Sequence, residues 1–446
     1  MTQAQHVLPG LSPVEGKSIH ATFDAGLMSS DGGLVVLREV ALKLGIADVV
    51  SKPLPDTRDP LRVTHSYADM ALARMLMIAA GYEDCDDIDA LRRDPALKLA
   101  CGRGPETGTD LMSQPTLSRL ENLADWRALA RIGLGFIDLF CNSYVRPPAT
   151  IVLDIDDTAD AVHGGQQLAL FNAHYDTRCF QPIVIFEATS GKPVAFILRP
   201  GKRPSGEEAA RVLRHVIRRI RRRWPRVKIL VRGDSHYGCE AVMVELERLG
   251  CDYILGLAIN VRLDAIAAPW RAQCEMRRRP GEGRKIRRHH QFQHRAGPWS
   301  RTRGVVARVE ATSLGSDARF VVTSLAGRSK TLYEKVYCAR GRAENLIKDL
   351  KLYTRADKTA CHRWKANQFR LFLHVGAYWL LHALRSAMPR RSLWRGATFE
   401  TLRRAFVKIA VRVEELKSRI RLAFPASYPH ARELAELTGR LAASGP

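Results

Sequence analysis

Acidic residues sit where metal-assisted chemistry on a phosphate would need them. Asp154, Asp156 and Asp157 close a short apolar, β-branched run that begins at Ile151, and Asp234 directly follows the run 228–233, within Val231-Arg-Gly-Asp-Ser235. Glu344 lies in a helical stretch further on. Alternate residues of a strand face the same side, so Asp154 and Asp156 point together. Asp156 is the nearer of the two to the C-terminal strand end, where open α/β sheets gather their ligands. Three such oxygen donors suit Mg²⁺ or Mn²⁺. Two ions, roughly 3.5–4 Å apart, could activate a water or a 3′-hydroxyl and stabilise the leaving oxygen at phosphorus. The spacing around Glu344 is tighter. Tyr337, Arg340, Glu344 and Lys351 fall, at about 100° per residue, on one narrow helical stripe. Cations can hold phosphate oxygens while the acid holds metal; an ordinary helical pair of Glu344 with Lys348 is the plainer alternative.

Positioning these groups requires a sheet. After a mainly helical region, 1–148, the pattern predicts strands at 151–156, 181–188 and 193–198, a helix at 207–223, a strand at 228–233, a helix at 239–249 and a strand at 252–257. The order β-β-β-α-β-α-β is that of a ribonuclease-H-like mixed α/β sheet, here assigned to 149–260. Residues 261–330 break the pattern and read as a β-rich basic insertion, with strands at 303–312 and 319–325 and a Pro-Gly turn inside an Arg/His-rich tract. Helical periodicity returns over 331–385, and 386–446 is expected to be helical.

The 446 residues carry 70 Lys+Arg against 46 Asp+Glu, a formal net charge of +24, with 46% hydrophobic content. That combination favours a core-forming protein with an anionic partner, nucleic acid before a membrane surface. No apolar run approaches the ~18 residues of a spanning helix. The start, MTQAQHVLPG, lacks the charged and apolar segments of a secretory signal. Nine cysteines without a Cys-x2-Cys pair support neither a disulfide framework nor a zinc ribbon. A cytoplasmic location is expected. Candidate DNA contacts are Tyr337, Arg340, Lys348 and Lys351, with Arg119 in a weak helix-turn-helix reading and Arg278 and Arg287 in the basic tract that also holds Arg279 and Arg284. The helix stripe Arg211, Arg214, Arg218 and Arg221 is more simply a solvated face, and His289, His290 and His294 near Cys274 lack zinc spacing.

With these residues in view, the chain resembles the DDE transposases of bacterial insertion sequences, in the group marked by Tyr-x2-Arg-x3-Glu-x6-Lys. Tyr337, Arg340, Glu344 and Lys351 match that signature without a gap, Asp156-Asp-Thr158 matches Asp-x-Thr, and Arg232-Gly-Asp234-Ser matches the second motif. The resemblance extends from Ser29-Ser-Asp-Gly-Gly33 through Gln114-Pro-Thr-Leu-Ser118 and Cys361-His-Arg-Trp364 to Phe424-Pro425. It implies a metal-binding triad of Asp156, Asp234 and Glu344 with two ions per site. It further implies cutting at terminal inverted repeats and direct strand transfer of the freed 3′ ends, in a DNA complex of at least two protomers, near the bacterial nucleoid. Tyr337, Arg340 and Lys351 would hold phosphates of the transposon end. A metal-dependent nuclease without strand transfer, or an inactive DNA-binding relative, are the alternatives.

Overall fold

The computed structural model describes residues 8, 10–278 and 285–443. Most of the N-terminal decapeptide, the Pro280-Gly281 turn, Arg279 and Arg284 lie outside the described residues. Two compact units emerge from the chain, one of residues 1–52, 56–120 and 376–446 and the other of 53–55 and 121–375.

The second unit is a mixed α/β fold around one large sheet. Its elements are α1 (Trp126–Asn142), β1 (Thr150–Asp157), β2 (Ile183–Glu187), β3 (Lys192–Ile197), α2 (Gly206–Arg223), β4 (Lys228–Gly233), α3 (Glu240–Arg248), β5 (Asp252–Leu257), α4 (Val261–Met276), β6 (Ile286–His294), β7 (Arg303–Thr312) and β8 (Gly315–Thr323). The eight strands are ordered β6-β7-β8-β5-β4-β1-β2-β3. β1 runs parallel to β4, and β4 to β5, while β1–β2, β2–β3 and β5–β8 are antiparallel. Every residue of β2 is buried, as expected of a strand covered on both faces. α1 packs on β3 and α2, and α2 on α3. α2 turns Leu213, Val216, Ile217 and Ile220 inward. Ser205 caps its first turn, beside Glu207 and Glu208, and Arg221–Arg223 close the last, which complements the helix dipole at both ends.

The segment 261–330 adds β6–β8 to this same sheet, after a helix, α4, that carries Pro269 internally. Both sheet edges are blunted. Past β3, Leu198 N–H donates to Gln368 Oε1 at 2.7 Å and Trp364 Nε1 donates to Leu198 O at 3.2 Å. The opposite edge, β6, is written IRRHHQFQH.

The helical periodicity over 331–385 is realised as separate pieces. Leu332–Tyr337 and Asp349–Tyr353 are π-helical, Cys338–Arg340 is a 3₁₀ turn, and only α5 (Gly341–Lys348) between them is α-helical. Arg355 then takes φ 57°, and helix α6 (Trp364–Ala387) follows. Widened turns of this kind concentrate at functional sites.

In the first unit, helices such as Leu34–Leu44 and Tyr67–Ala80 come from the N-terminal part, and Phe399–Phe406 and Ala431–Ala443 from the C-terminal part. Gly33 is obligatory here, because a Cβ would lie 1.8 Å from Phe406 O. The C-terminal region is not wholly helical as expected. Val411–Leu416 and Arg419–Ala423 form a hairpin paired with Met28–Ser29. The reason is local: Val411 and Val413 are buried and Arg412 between them is exposed, the alternation of a strand.

Candidate active site

The parallel pairing of β1 and β4 sets Asp154 opposite Arg232 and Ile155 opposite Gly233, so both strands deliver their carboxylates to the same end. Asp154 is fully engaged. Arg232 Nε and Nη2 donate to its two oxygens at 2.6 and 2.7 Å, and Arg232 Nη1 reaches Val336 O at 2.8 Å. One buried arginine thereby ties β1 to the segment leading into the signature residues.

Asp156, two positions on, meets Arg340. Arg340 Nη2 lies 2.8 Å from Asp156 Oδ2, and the Asp157 N–H donates to Asp156 Oδ1 at 3.0 Å. Burial pushes the Asp156 carboxyl up to about 7, with the charges of Asp234 and Asp157 adding to the effect and Arg340 opposing it. Arg340 Nε is buried without a hydrogen-bond partner. Tyr337 packs on the sheet beside Tyr333, and burial raises its phenol above the ordinary range. A Cβ on Gly256 would meet the Tyr337 hydroxyl at 2.8 Å, Ser235 N at 2.6 Å and Asp234 C at 2.8 Å, so only glycine lets these groups close over the strand end.

Asp157 belongs to a second cluster. Tyr237 Oη donates to its Oδ1 at 3.1 Å, His236 Nδ1 lies 3.1 Å from the same oxygen, and Gln181 Nε2 donates to Oδ2. Against burial, these bonds hold Asp157 below the usual carboxylate range, and the bond to Asp157 raises His236. Asp234 Oδ1 accepts from the His236 N–H at 2.9 Å. Asp157, Asp234 and His236 offer ligand atoms within 4.8 Å of one another, an arrangement able to hold a divalent cation.

Lys351 does not stand free over the acids. Its Nζ donates to Ala159 O at 2.6 Å and to Thr158 Oγ1 at 3.1 Å, and it pairs with Asp160 Oδ1 at 3.1 Å, fixing the loop that leaves β1. Burial pushes Asp160 up to about 7, with Lys351 opposing.

The structure thus gathers Asp156, Asp234, Tyr337 and Arg340 at one strand end and sets Lys351 on the adjoining loop. Glu344 is exposed on α5, and among the described residues no hydrogen bond or ion pair joins it to the two aspartates or to Lys348. Lys348 and Arg119 are also exposed. Arg278 is half-buried at the end of α4, with its N–H on Glu275 O. Arg287 is already occupied, paired with Glu310 at 2.6 Å and Glu334 at 3.4 Å. The Asp157–His236–Tyr237 cluster and the Arg232 tie are absent from the sequence reading. Their signals were a histidine two residues after Asp234 and an arginine two residues before it.

Residues 11–446 match the family model described as transposase DDE domain group 1, and the chain belongs to that family; it is a DDE transposase. Among solved structures, the piggyBac transposase synaptic complex with hairpin DNA is similar at a TM-score of 0.46 and 9% identity, over 85% of this chain and 80% of that chain. No curated protein matches. Among the described residues, no helix is long and apolar enough to cross a membrane.

Proposed function

We propose that this transposase cuts DNA at the terminal inverted repeats of a bacterial insertion sequence and joins the freed 3′ ends to target DNA, as a homodimer or larger assembly on double-stranded DNA. The strand order β3-β2-β1-β4-β5, with its directions, supports a ribonuclease-H-like catalytic core over 149–260 and 331–385, interrupted by the basic segment 261–330. Asp156, Asp234 and Glu344 are the proposed catalytic and metal-holding residues, for Mg²⁺ or Mn²⁺, two ions per site. The carrying observation is Asp156. It is a buried carboxylate pushed up to about 7 at a strand end shared with a second acid, with Arg340 as its one cationic partner among the described residues. A divalent cation supplies the missing positive charge and, when bound, activates the attacking oxygen and steadies the leaving one. Arg340, with its unfilled Nε, and Tyr337 are placed to meet a phosphate beside the acids; Lys351 steadies the loop after β1. Lys348, Arg119, Arg278 and Arg287 complete the proposed DNA contacts, with Arg287 requiring release from its glutamates.

The test is a strand-transfer assay with pre-cut ends alongside Mg²⁺-dependent cleavage. Wild-type protein is expected to do both, and Asp156→Asn neither. Cleavage without joined product would replace the transfer reading with a simple nuclease. A second reading rests on the proximity of Asp157 and His236 to Asp234, in which Asp157 is the first metal ligand. Loss of cleavage in Asp157→Asn, with activity kept in Asp156→Asn, would establish it.

A further inference from the structure

A groove is built by two loops that the catalytic scheme leaves unused. The first, 163–167, continues the loop that Lys351 holds at Thr158–Asp160. The second, 361–365, leads into α6. Side chains and backbone fasten them to each other. Gln166 Nε2 donates to Thr359 O at 2.9 Å, Asn367 Nδ2 to Gln166 Oε1 at 2.9 Å, and Gln167 N to His362 O at 2.8 Å. Asn367, only 1% exposed, also accepts from Cys361 N at 3.0 Å and donates to Cys361 O at 2.7 Å.

The groove is open, about 730 Å³, and lined by Gly165, Gln166, Gln167, His362, Arg363 and Lys365, none of them acidic. Arg363 and Lys365 are exposed and have no hydrogen bond or ion pair from their side chains among the described residues. In this they differ from Arg232, Arg340 and Lys351, which are all engaged. Nothing lies within 4 Å of a Cβ built on Gly164 or Gly165, so a ligand backbone can approach this loop closely. Two uncommitted cations in an open groove suit a polyanion that passes through rather than a small anion that must be enclosed.

We propose that this groove grips the DNA phosphate backbone, with Arg363 and Lys365 as the contacting cations. The inference rests on the reading that the chain acts on DNA. Contacts here carry no base information and act by position and charge.

The test is fluorescence anisotropy with a short fluorescein-labelled duplex of arbitrary sequence, in EDTA, across a KCl series. Arg363→Ala/Lys365→Ala is expected to bind roughly tenfold more weakly, with the slope of log K against log salt reduced by about 2, since each lost phosphate contact removes about 0.9. Arg363→Lys/Lys365→Arg should bind like wild type. Arg222→Ala/Arg226→Ala, which removes the same charge from exposed positions elsewhere, should leave the slope near wild type. An unchanged slope in the groove variant, or an equal fall in the control, overturns the groove. Wild-type protein that binds no duplex overturns the proposed function with it.

Discussion

Two acidic clusters in the same unit are treated in opposite ways. On α3, each glutamate is matched by arginine. Arg214 donates to Glu245 at 2.9 and 2.7 Å, and Arg248 adds a bond. Arg303 spans Glu247 and Glu240, and Arg301 adds a second cation on Glu247. Hydrogen bonds from Arg214 hold Glu245 down at about 2, and Arg303 and Arg301 overcome burial to hold Glu247 there too. At the strand end, Asp156, Asp157 and Asp234 share one arginine and one histidine, and Asp156 goes up to about 7 instead. A chain with 70 Lys+Arg has arginines to spare. Charge neutralisation is therefore available to this fold, and the strand end is left short of it. Buried acids left short of cations in this way are a common feature of functional sites.

The comparison breaks most visibly if the deficit is idle. Asp156→Asn is expected to lower Mg²⁺-dependent cleavage by roughly 10³–10⁴-fold, measured as single-turnover nicking of a transposon-end duplex. Retained activity would make the cluster ordinary. Next in size, Asp154→Ala should act on folding, because it strands the buried Arg232. A loss of about 3–5 kcal/mol is expected, from urea unfolding, and a wild-type midpoint would show that Asp154 is not a saturated structural acid. Gly256→Ala sharpens the contrast through position alone. Its methyl group must displace Ser235, Asp234 or Tyr337, for an expected loss of about 10²-fold in cleavage, with circular dichroism unchanged. The smallest effect belongs to the saturated cluster. Glu245 is lowered from 4.5 to about 2, so its contribution is present above 4.5 and is lost as pH falls between those values. Urea midpoints should fall less steeply across that window in Glu245→Gln than in wild type.

Much of this was legible in the sequence because burial and chemistry agreed. The run 228–233, apolar and ended by Gly-Asp, reads as a strand presenting an acid, and β4 is that strand. β6 was harder to read because an edge strand pairs on one side only and can carry arginine and histidine. α4 contradicts its own Pro269, a cost that local propensity assigns to a break. The signature stripe rested on a uniform turn angle, which the π-turns at Leu332–Tyr337 and Asp349–Tyr353 do not keep. Tyr337 and Arg340 still reach the strand end, whereas Glu344 stays exposed. Asp154, Asp156 and Asp157 could be separated only partly by strand alternation, since their partners Arg232, Arg340 and His236 come from elsewhere in the chain.

The blunted edge past β3 also bears on how protomers assemble. With Leu198 N–H and O bonded to Gln368 and Trp364, that edge has fewer backbone groups to offer a second chain. On the far side, the charged β6 disfavours stacking with its own copy. Extending the sheet with a second copy is thereby disfavoured at both edges.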